Sequence, residues 1–271
     1  MRVFSTSLIA IICLVFGQPG FAEDLRFHWQ DDFSQQEQQR LKNWIERTDR
    51  ALTSLVGPLP FTRHIFFHRR DNAREPVPWA HTQRGAQQGI HLYVDLSFSQ
   101  AAFISDWTAP HELSHLVMPY VGKRDAWFAE GFASYMQYQV MGAMGVLEEA
   151  EISQRYTHRF EKAERNFSMA SLPFAEAAPK LRAKGQYPTM YWGGAIYFKQ
   201  VDRWLRQHAN SDLNQVLTDF LACCRHDARK LSTLIDVLDK LVDTDVFRQH
   251  LATYQTQPGF PAYRKPMISA P

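Results

Sequence analysis

The sequence contains few cysteines and almost no excess of charge, and each shortage excludes a class of protein. Three cysteines among 271 residues are too few for a disulfide-dense scaffold. The formal net charge is +2, which predicts no binding to nucleic acid or to an anionic membrane surface. No internal repeat or low-complexity tract occurs. Since 45% of the residues are hydrophobic, the chain can instead bury a sizeable core.

Long apolar runs are also absent, and the one notable run lies at the amino terminus. Arg2 precedes an apolar stretch over residues 8–16, and the small-residue site Gly20-Phe21-Ala22 follows. A membrane anchor is the alternative, but a span needs about 20 apolar residues. The layout predicts a secretory signal peptide over residues 1–22, cleaved after Ala22. We therefore expect an exported protein, periplasmic or secreted, with no stable membrane insertion after cleavage.

Two cysteines remain after that cleavage, Cys223 and Cys224, and they are adjacent. A bond between neighbouring cysteines requires a strained ring, far from ordinary disulfide geometry. We therefore expect two small, buried side chains on a helix.

Hydrophobic periodicity divides the rest of the chain into two parts. Residues 34–56 follow a helical pattern, 62–68 and 89–96 follow strand patterns, and 71–88 are polar and rich in turn residues. From residue 99 onward the pattern is helical, with helices expected at 99–118, 126–142, 146–165, 174–184, 188–208, 212–224, 230–241 and 244–254. This order predicts an α+β fold: a single domain over residues 23–271 with two lobes, a mixed-sheet lobe (23–98) and an all-helical lobe (99–271), separated by a cleft.

The pentapeptide His111-Glu112-Leu113-Ser114-His115 lies in the helical part. Residues four apart share one face of a helix, so both histidines can bind one zinc ion. Glu112 points to the side, where its carboxylate can act as general base on a water at the metal.

A catalytic zinc site needs a third protein ligand, and Glu130 is the candidate. It follows His115 by fifteen residues, among apolar neighbours that include Trp127, Phe128 and Phe132. A carboxylate in such surroundings is costly unless it is paired or bound to a metal. A surface glutamate stabilised by a helix start is the alternative.

The segment Asp125-Ala-Trp-Phe-Ala-Glu130-Gly-Phe-Ala-Ser-Tyr135 resembles the third-ligand helix of the aminopeptidase N family, a group of gluzincins related to thermolysin and the glycyl aminopeptidases. The loop after His115 is shorter than in that family, and Ala129 stands where the family commonly has asparagine. The resemblance implies a thermolysin-like, two-lobed metallopeptidase with one Zn²⁺ per chain and a peptide or protein substrate.

Two further segments extend this resemblance. Tyr191, followed by Trp-Gly-Gly-Ala, is similar to a family segment whose tyrosine assists catalysis, with Tyr187 as the alternative. Gly85, Ala86 and Gln88 stand where the family has a substrate-binding Gly-x-Met-Glu-Asn segment. The glutamate of that segment holds the substrate's amino terminus, and a neutral glutamine cannot pair with an ammonium group as a carboxylate does. This difference argues against simple aminopeptidase specificity.

The function predicted is zinc-dependent peptide hydrolysis, exo- or endopeptidic, with Glu112 and Tyr191 as catalytic residues. Two alternatives remain: a gluzincin-fold peptide-binding protein without turnover, and a zinc hydrolase of a non-peptide bond. The other histidines, including His64 and His68, have no ligand spacing and are interpreted as ordinary residues. Oligomeric state stays open.

Overall fold

The computed structural model describes residues 25–225, 230–265 and 267. The expected signal segment, residues 1–22, lies outside the described residues. Within the described part of the chain, no helix combines the length and apolar character required to cross a bilayer.

A mixed sheet of four strands forms the first part of the fold. The strands are β1 (Leu25–Trp29), β2 (Arg63–Arg69), β3 (Trp79–Gln83) and β4 (Gly89–Val94). Their spatial order is β1-β2-β4-β3, with β1, β2 and β4 parallel and β3 antiparallel to β4. The strands expected over 62–68 and 89–96 are confirmed as β2 and β4. Strand β3 lies at an edge, so one side of its backbone has no partner among the described strands.

Strand β3 corrects the expectation that residues 71–88 are polar turns. Its residues pair in register with β4, from Trp79 opposite Tyr93 to Gln83 opposite Gly89. The segment lacks a run of β-branched residues, so pairing with the buried strand β4 outweighs its weak local preference.

Ten helices accompany the sheet in the described residues. They are α1 (Gln35–Val56), α2 (Gln100–Ser105), α3 (Thr108–His115), α4 (Ala126–Ala143), α5 (Glu149–Asn166), α6 (Phe174–Ala183), α7 (Tyr187–His208), α8 (Leu213–Cys223), α9 (Leu231–Val242) and α10 (Val246–Thr256). The α+β class is therefore confirmed. The division into a single domain with lobes at 23–98 and 99–271 stays a prediction.

The first helix shows how local sequence fixes an element. Ser34 and Glu37 form a reciprocal capping box at its start, and Gly57, with φ of 80°, ends it. Its apolar face includes Leu41 and Trp44, both fully buried in the core.

The prediction of one continuous helix over residues 99–118 is wrong, because the structure has two shorter helices there. The segment is interrupted at Asp106, whose backbone is extended and whose Oδ1 accepts a hydrogen bond from the Thr108 N–H at 2.8 Å. Pro110 lies in the first turn of α3, where no backbone N–H is needed. In the interior of a continuous helix the same proline would have removed a hydrogen bond, so the chain starts a new helix here.

The expectation for the two adjacent cysteines is also wrong. Cys223 is exposed and Cys224 half-buried, and their sulfur atoms are bonded to each other. Helix α8 ends at Cys223, so the pair occupies a helix terminus and the following turn, not a buried helical face.

Candidate metal centre

Helix α3 brings both histidines of the pentapeptide to one buried face. His111 is 3% exposed and His115 is 9% exposed, and their rings are nearly perpendicular, with centroids 4.8 Å apart. This arrangement follows from the four-residue spacing, which repeats a position after about one helical turn. Glu112, rotated away from that face, is half-buried.

Helix α4 adds Glu130 to the two histidines. One carboxylate oxygen, Oε2, lies 3.4 Å from Nε2 of His111 and 3.4 Å from Nε2 of His115. Ligand atoms of all three residues lie within 4.8 Å of one another. Nitrogen and oxygen ligands at zinc distances and a tetrahedral angle are about 3.3 Å apart, so the spacing fits one zinc ion. Two imidazoles and one carboxylate are also a donor set of catalytic zinc sites.

The electrostatics of this cluster favour a positive charge at its centre. Burial opposes ionisation of Glu130, but His115 and His111 more than compensate and hold its pKa well below the usual range. Burial likewise opposes the charged form of His111, yet the carboxylates of Glu130 and Glu112 raise its pKa. A divalent cation would satisfy the same charges without the protons.

The packing of α4 against α7 fixes the position of Glu130. A Cβ added at Gly131 would lie 2.3 Å from the carbonyl carbon of Gly194, and one added at Gly194 would lie 2.1 Å from the Trp127 oxygen. Two glycines therefore permit the helices to approach backbone to backbone. The same approach brings Tyr191 of α7 next to the cluster.

Gln137 orients the first histidine. Its Oε1 lies 3.0 Å from Nδ1 of His111, and both side chains are buried. Because an amide oxygen only accepts, Nδ1 carries the hydrogen and Nε2 presents a lone pair towards Glu130. Sequence reasoning did not identify Gln137 for this role. The missed signal is its position, two helical turns after Glu130 on the same face.

The candidate base is held from the sheet. Thr82 Oγ1 of β3 donates a hydrogen bond to Glu112 Oε2 at 2.8 Å. Sequence reasoning missed Thr82 because it lies in the segment interpreted as polar turns, and no local pattern pairs it with α3.

Tyr191 lies beside the metal centre. Its ring stacks on His111, with centroids 6.0 Å apart. Burial, followed by the carboxylates of Glu130 and Glu112, raises the pKa of the Tyr191 phenol far above its usual value. The phenol is therefore a neutral hydrogen-bond donor at any physiological pH. Tyr187, the alternative, is 47% exposed and touches the site only through the Tyr191 ring, 6.3 Å away.

These groups open onto one cavity of about 530 Å³ between β3 and helices α3, α4 and α7. Its lining comprises Glu75, Val77, Pro78, Trp79, Ala80, His81, Thr82, Arg84, Trp107, Thr108, His111, Glu112, His115, Tyr120, Ala126, Ala129, Glu130, Arg182 and Tyr191. Arg84 also closes the end of α3, donating to the carbonyl oxygens of His115 at 2.6 Å and Met118 at 3.0 Å. Burial lowers the pKa of Arg84 to about 10, so it stays charged near neutrality.

The predicted substrate residues Gly85, Ala86 and Gln88 are not among the described residues that line this cavity. Gly85 and Ala86 are exposed, and the Gln88 amide oxygen accepts a hydrogen bond from Arg225 at 2.8 Å. Arg225 also donates to the Leu116 carbonyl oxygen, behind the end of α3. The chain turns away from the cavity at Gly85, whose φ is 113°, so the preceding strand β3 faces the metal centre in place of this segment.

Exposed aromatic side chains gather around the same cavity. Trp79, Trp107 and Tyr120 are 62%, 43% and 52% exposed and line its mouth. Tyr187 joins them through its contact with Tyr191. Large exposed aromatic groups gathered in one place are typical of a binding surface.

No protein-family model and no curated protein sequence matches the chain. Solved structures do resemble it. An aminopeptidase N family protein from Idiomarina loihiensis has 16% identity and a TM-score of 0.63, with 88% of this chain and 45% of that chain covered. An M1 zinc metallopeptidase from Deinococcus radiodurans has 15% identity and a TM-score of 0.54, with 84% and 47% covered.

A variant of an M1 zinc metallopeptidase from Deinococcus radiodurans, bound to a Tyr-Ser-Ala substrate, has 15% identity and a TM-score of 0.53, with 88% and 48% covered. The chain thus spans about half the length of these structures. At such low identity the likeness establishes a fold like that of the M1 zinc metallopeptidases, which confirms the predicted gluzincin-like fold.

Proposed function

We propose that the chain is an exported, zinc-dependent peptidase of the gluzincin type, with His111, His115 and Glu130 as zinc ligands. The observation that carries this proposal is the convergence of the three ligand atoms within 4.8 Å, at a cavity that Glu112 also lines. The fold shared with zinc metallopeptidases supports the same conclusion.

Zinc bound there supplies Lewis-acid chemistry, lowering the pKa of a water and polarising a substrate carbonyl. Glu112 receives the proton of the attacking water and passes it to the leaving amine. The hydrogen bond from Thr82 aims this carboxylate at the cavity. Since Thr82 lies on the strand that faces the substrate, strand and base are positioned together.

Tyr191 serves the opposite side of the reaction. A tetrahedral carbon forms when water adds to the carbonyl, and its oxygen becomes negative. A neutral phenol, fixed by its stacking on His111, can donate a hydrogen bond to that oxygen. The very high pKa of the phenol keeps the proton on Tyr191 throughout.

The proposed substrate is a polypeptide bound along β3. The free edge of this strand offers backbone groups to an extended peptide. Trp79, Trp107 and Tyr120 at the cavity mouth favour bulky apolar side chains on either side of the cleaved bond. In the proposed two-lobed arrangement, the peptide lies between the sheet and the helical lobe.

The test is Glu112→Gln, compared with Glu176→Gln at an exposed position of α6. Glu112→Gln is expected to keep zinc, measured by elemental analysis, and to lose at least about 100-fold in peptide hydrolysis, since it removes the general base. Glu176→Gln is expected to keep both its zinc and its rate of peptide hydrolysis. Hydrolysis by Glu112→Gln at the rate of the control would overturn the assignment of the base.

A mixed peptide library separates this proposal from its alternatives. Zinc binding without cleavage of any peptide by the parent chain would favour a binding protein or a hydrolase of another bond. Cleavage at equal rates of amino-terminally blocked and free peptides identifies an endopeptidase, and loss of cleavage on blocking identifies an aminopeptidase.

A further inference from the structure

Five of the eleven histidines lie together on the face of the sheet that points away from the core. They are His28, His64, His68, His81 and His91, contributed by all four strands. Alternation explains the placement, because Ile65, Phe67, Ile90 and Leu92 from the same strands fill the opposite, fully buried face. His81, on the edge strand, also lines the cavity beside the metal centre, but the proposed peptidase chemistry uses none of these five imidazoles.

Four rings form a continuous stack across the sheet. The centroid of His28 lies 4.4 Å from that of Phe66, which lies 4.3 Å from that of His91, which lies 4.6 Å from that of His81. These distances follow from the register, which sets the four residues directly opposite one another. The stack therefore fixes where the imidazoles of His28, His91 and His81 lie.

Two pairs of these histidines bring nitrogen atoms within 2.9 Å of each other. The pairs are His28 Nε2 with His64 Nδ1, and His68 Nε2 with His91 Nδ1. Two imidazole nitrogens bound to one metal at a right angle, each at about 2.05 Å, are separated by about 2.9 Å. A shared ion would replace the hydrogen that lies between the two nitrogens, and the ring that donates this hydrogen would carry it on its other nitrogen.

The second pair is also oriented for this purpose. Gln83 Oε1 lies 2.8 Å from Nε2 of His91 and accepts the hydrogen there. The lone pair of His91 is consequently on Nδ1, the atom that faces His68. An amide that fixes one ring nitrogen while the other faces a ligand site is the arrangement that Gln137 provides for His111.

Three of the four histidines in these pairs, His64, His68 and His91, favour the neutral form that a metal ion binds. Burial is the largest cause that lowers the pKa of His64, His68 and His91, and it outweighs Asp31 at His68. The neighbouring His81, His68 and His28 lower the pKa of His91 further, to about 4. At these three residues a metal ion therefore does not have to displace a positive charge.

We propose that the outer face of the sheet binds divalent transition-metal ions, Cu²⁺ most tightly, at the pairs His28–His64 and His68–His91. Neutral imidazole suits copper, nickel and zinc, and copper leads the affinity order. The right-angle separation fits the tetragonal geometry of Cu²⁺, with water in the remaining positions. Ca²⁺ and Mg²⁺, which require oxygen ligands, bind at neither pair.

Copper titration of the zinc-loaded full chain tests this proposal. Bound copper and retained zinc are measured by elemental analysis after gel filtration, and nitrogen coordination by electron paramagnetic resonance. The parent chain is expected to bind two more copper ions than the double variant His64→Gln, His68→Gln. Each single variant loses one ion, while His158→Gln, at an exposed position of α5, loses none.

Gln83→Leu adds a finer test, because it removes the orienting amide and leaves both ligands of the second pair. We expect its affinity at His68–His91 to fall about 10- to 100-fold with no change at His28–His64. Should a variant fail to fold, diethyl pyrocarbonate labelling of the parent chain replaces it: copper protects His68 and His91 but not His158. Equal copper content in the parent and the double variant, or no protection, would show that the imidazoles are hydrogen-bonded pairs only and overturn the proposal.

Discussion

Replacement of Gln137 by leucine tests whether the metal centre depends on its buried hydrogen bond. Leucine approximates the size of the amide but cannot accept the hydrogen of His111 Nδ1, 3.0 Å from Gln137 Oε1. Since both residues are about 3% exposed, water cannot easily replace the lost acceptor. His111 then loses the contact that keeps its Nε2 lone pair directed at the proposed zinc position.

The expected magnitude follows from that geometry. A buried donor left without a partner costs about 1–3 kcal/mol. At about 1.4 kcal/mol for each factor of ten, zinc affinity is expected to fall roughly 5- to 150-fold. Losses of about 10- to 100-fold are usual when a group that orients a metal ligand is removed.

Competition with a chromophoric chelator measures the zinc affinity of each variant. Gln137→Glu retains an acceptor oxygen and is expected to keep most of the zinc affinity of the parent chain. Gln139→Leu, two residues further along α4, loses a bond to the Tyr156 hydroxyl instead and is expected to bind zinc normally. If Gln137→Leu binds zinc as tightly as the parent chain and remains folded, the orienting role is refuted.

Three further predictions concern the surroundings of the site. Thr82→Val removes the hydrogen-bond donor to Glu112. Because hydrogen bonds to charged groups contribute about 1.5–3 kcal/mol, kcat should fall about 10- to 100-fold while the zinc content stays unchanged. Thr82→Ser keeps the hydroxyl and should restore kcat. Gly194→Ala places a Cβ 2.1 Å from a backbone oxygen of α4 and should lower the free energy of unfolding, measured by urea denaturation, by about 3 kcal/mol. In Gly142→Ala the new Cβ meets chiefly the flexible end of a side chain, so the loss of stability should be smaller. Burial raises the pKa of Asp106 from 3.8 to about 6, so the protonated side chain stabilises the fold fully below pH 4, and this contribution is lost as the pH rises through 6. Asp106→Asn should remove up to about 3 kcal/mol of this pH dependence of the unfolding free energy. The same change of urea midpoint with pH in the parent chain and in Asp106→Asn would contradict the assignment.

The cluster of His111, His115 and Glu130 was predictable because the geometry of its parts is local. His111 and His115 share a helical face whatever surrounds them, since one turn of helix separates them. Glu130 was identifiable from its apolar neighbours on the next long helix, where a carboxylate needs a partner. The helix boundaries near Gly57 and the strands β2 and β4 likewise follow from short-range patterns.

The edge strand β3 shows where local patterns fail. Its two β-formers, Trp79 and Thr82, are separated by two other residues, and it becomes a strand because β4 offers it hydrogen bonds. The break at Asp106 was hidden by a continuous helical periodicity. The side-chain cap and the position of Pro110 decide it instead.

The sequence by itself determined the composition of the candidate site: two histidines, a proposed base and a proposed third ligand at spacings that helices convert into one cluster. The tertiary structure alone decided what supports and surrounds that site. Gln137 reaches His111, Thr82 reaches Glu112, and five histidines meet on the outer face of the sheet because separate elements pack or pair in one register. Such contacts join residues far apart in the chain, and no short-range periodicity encodes them.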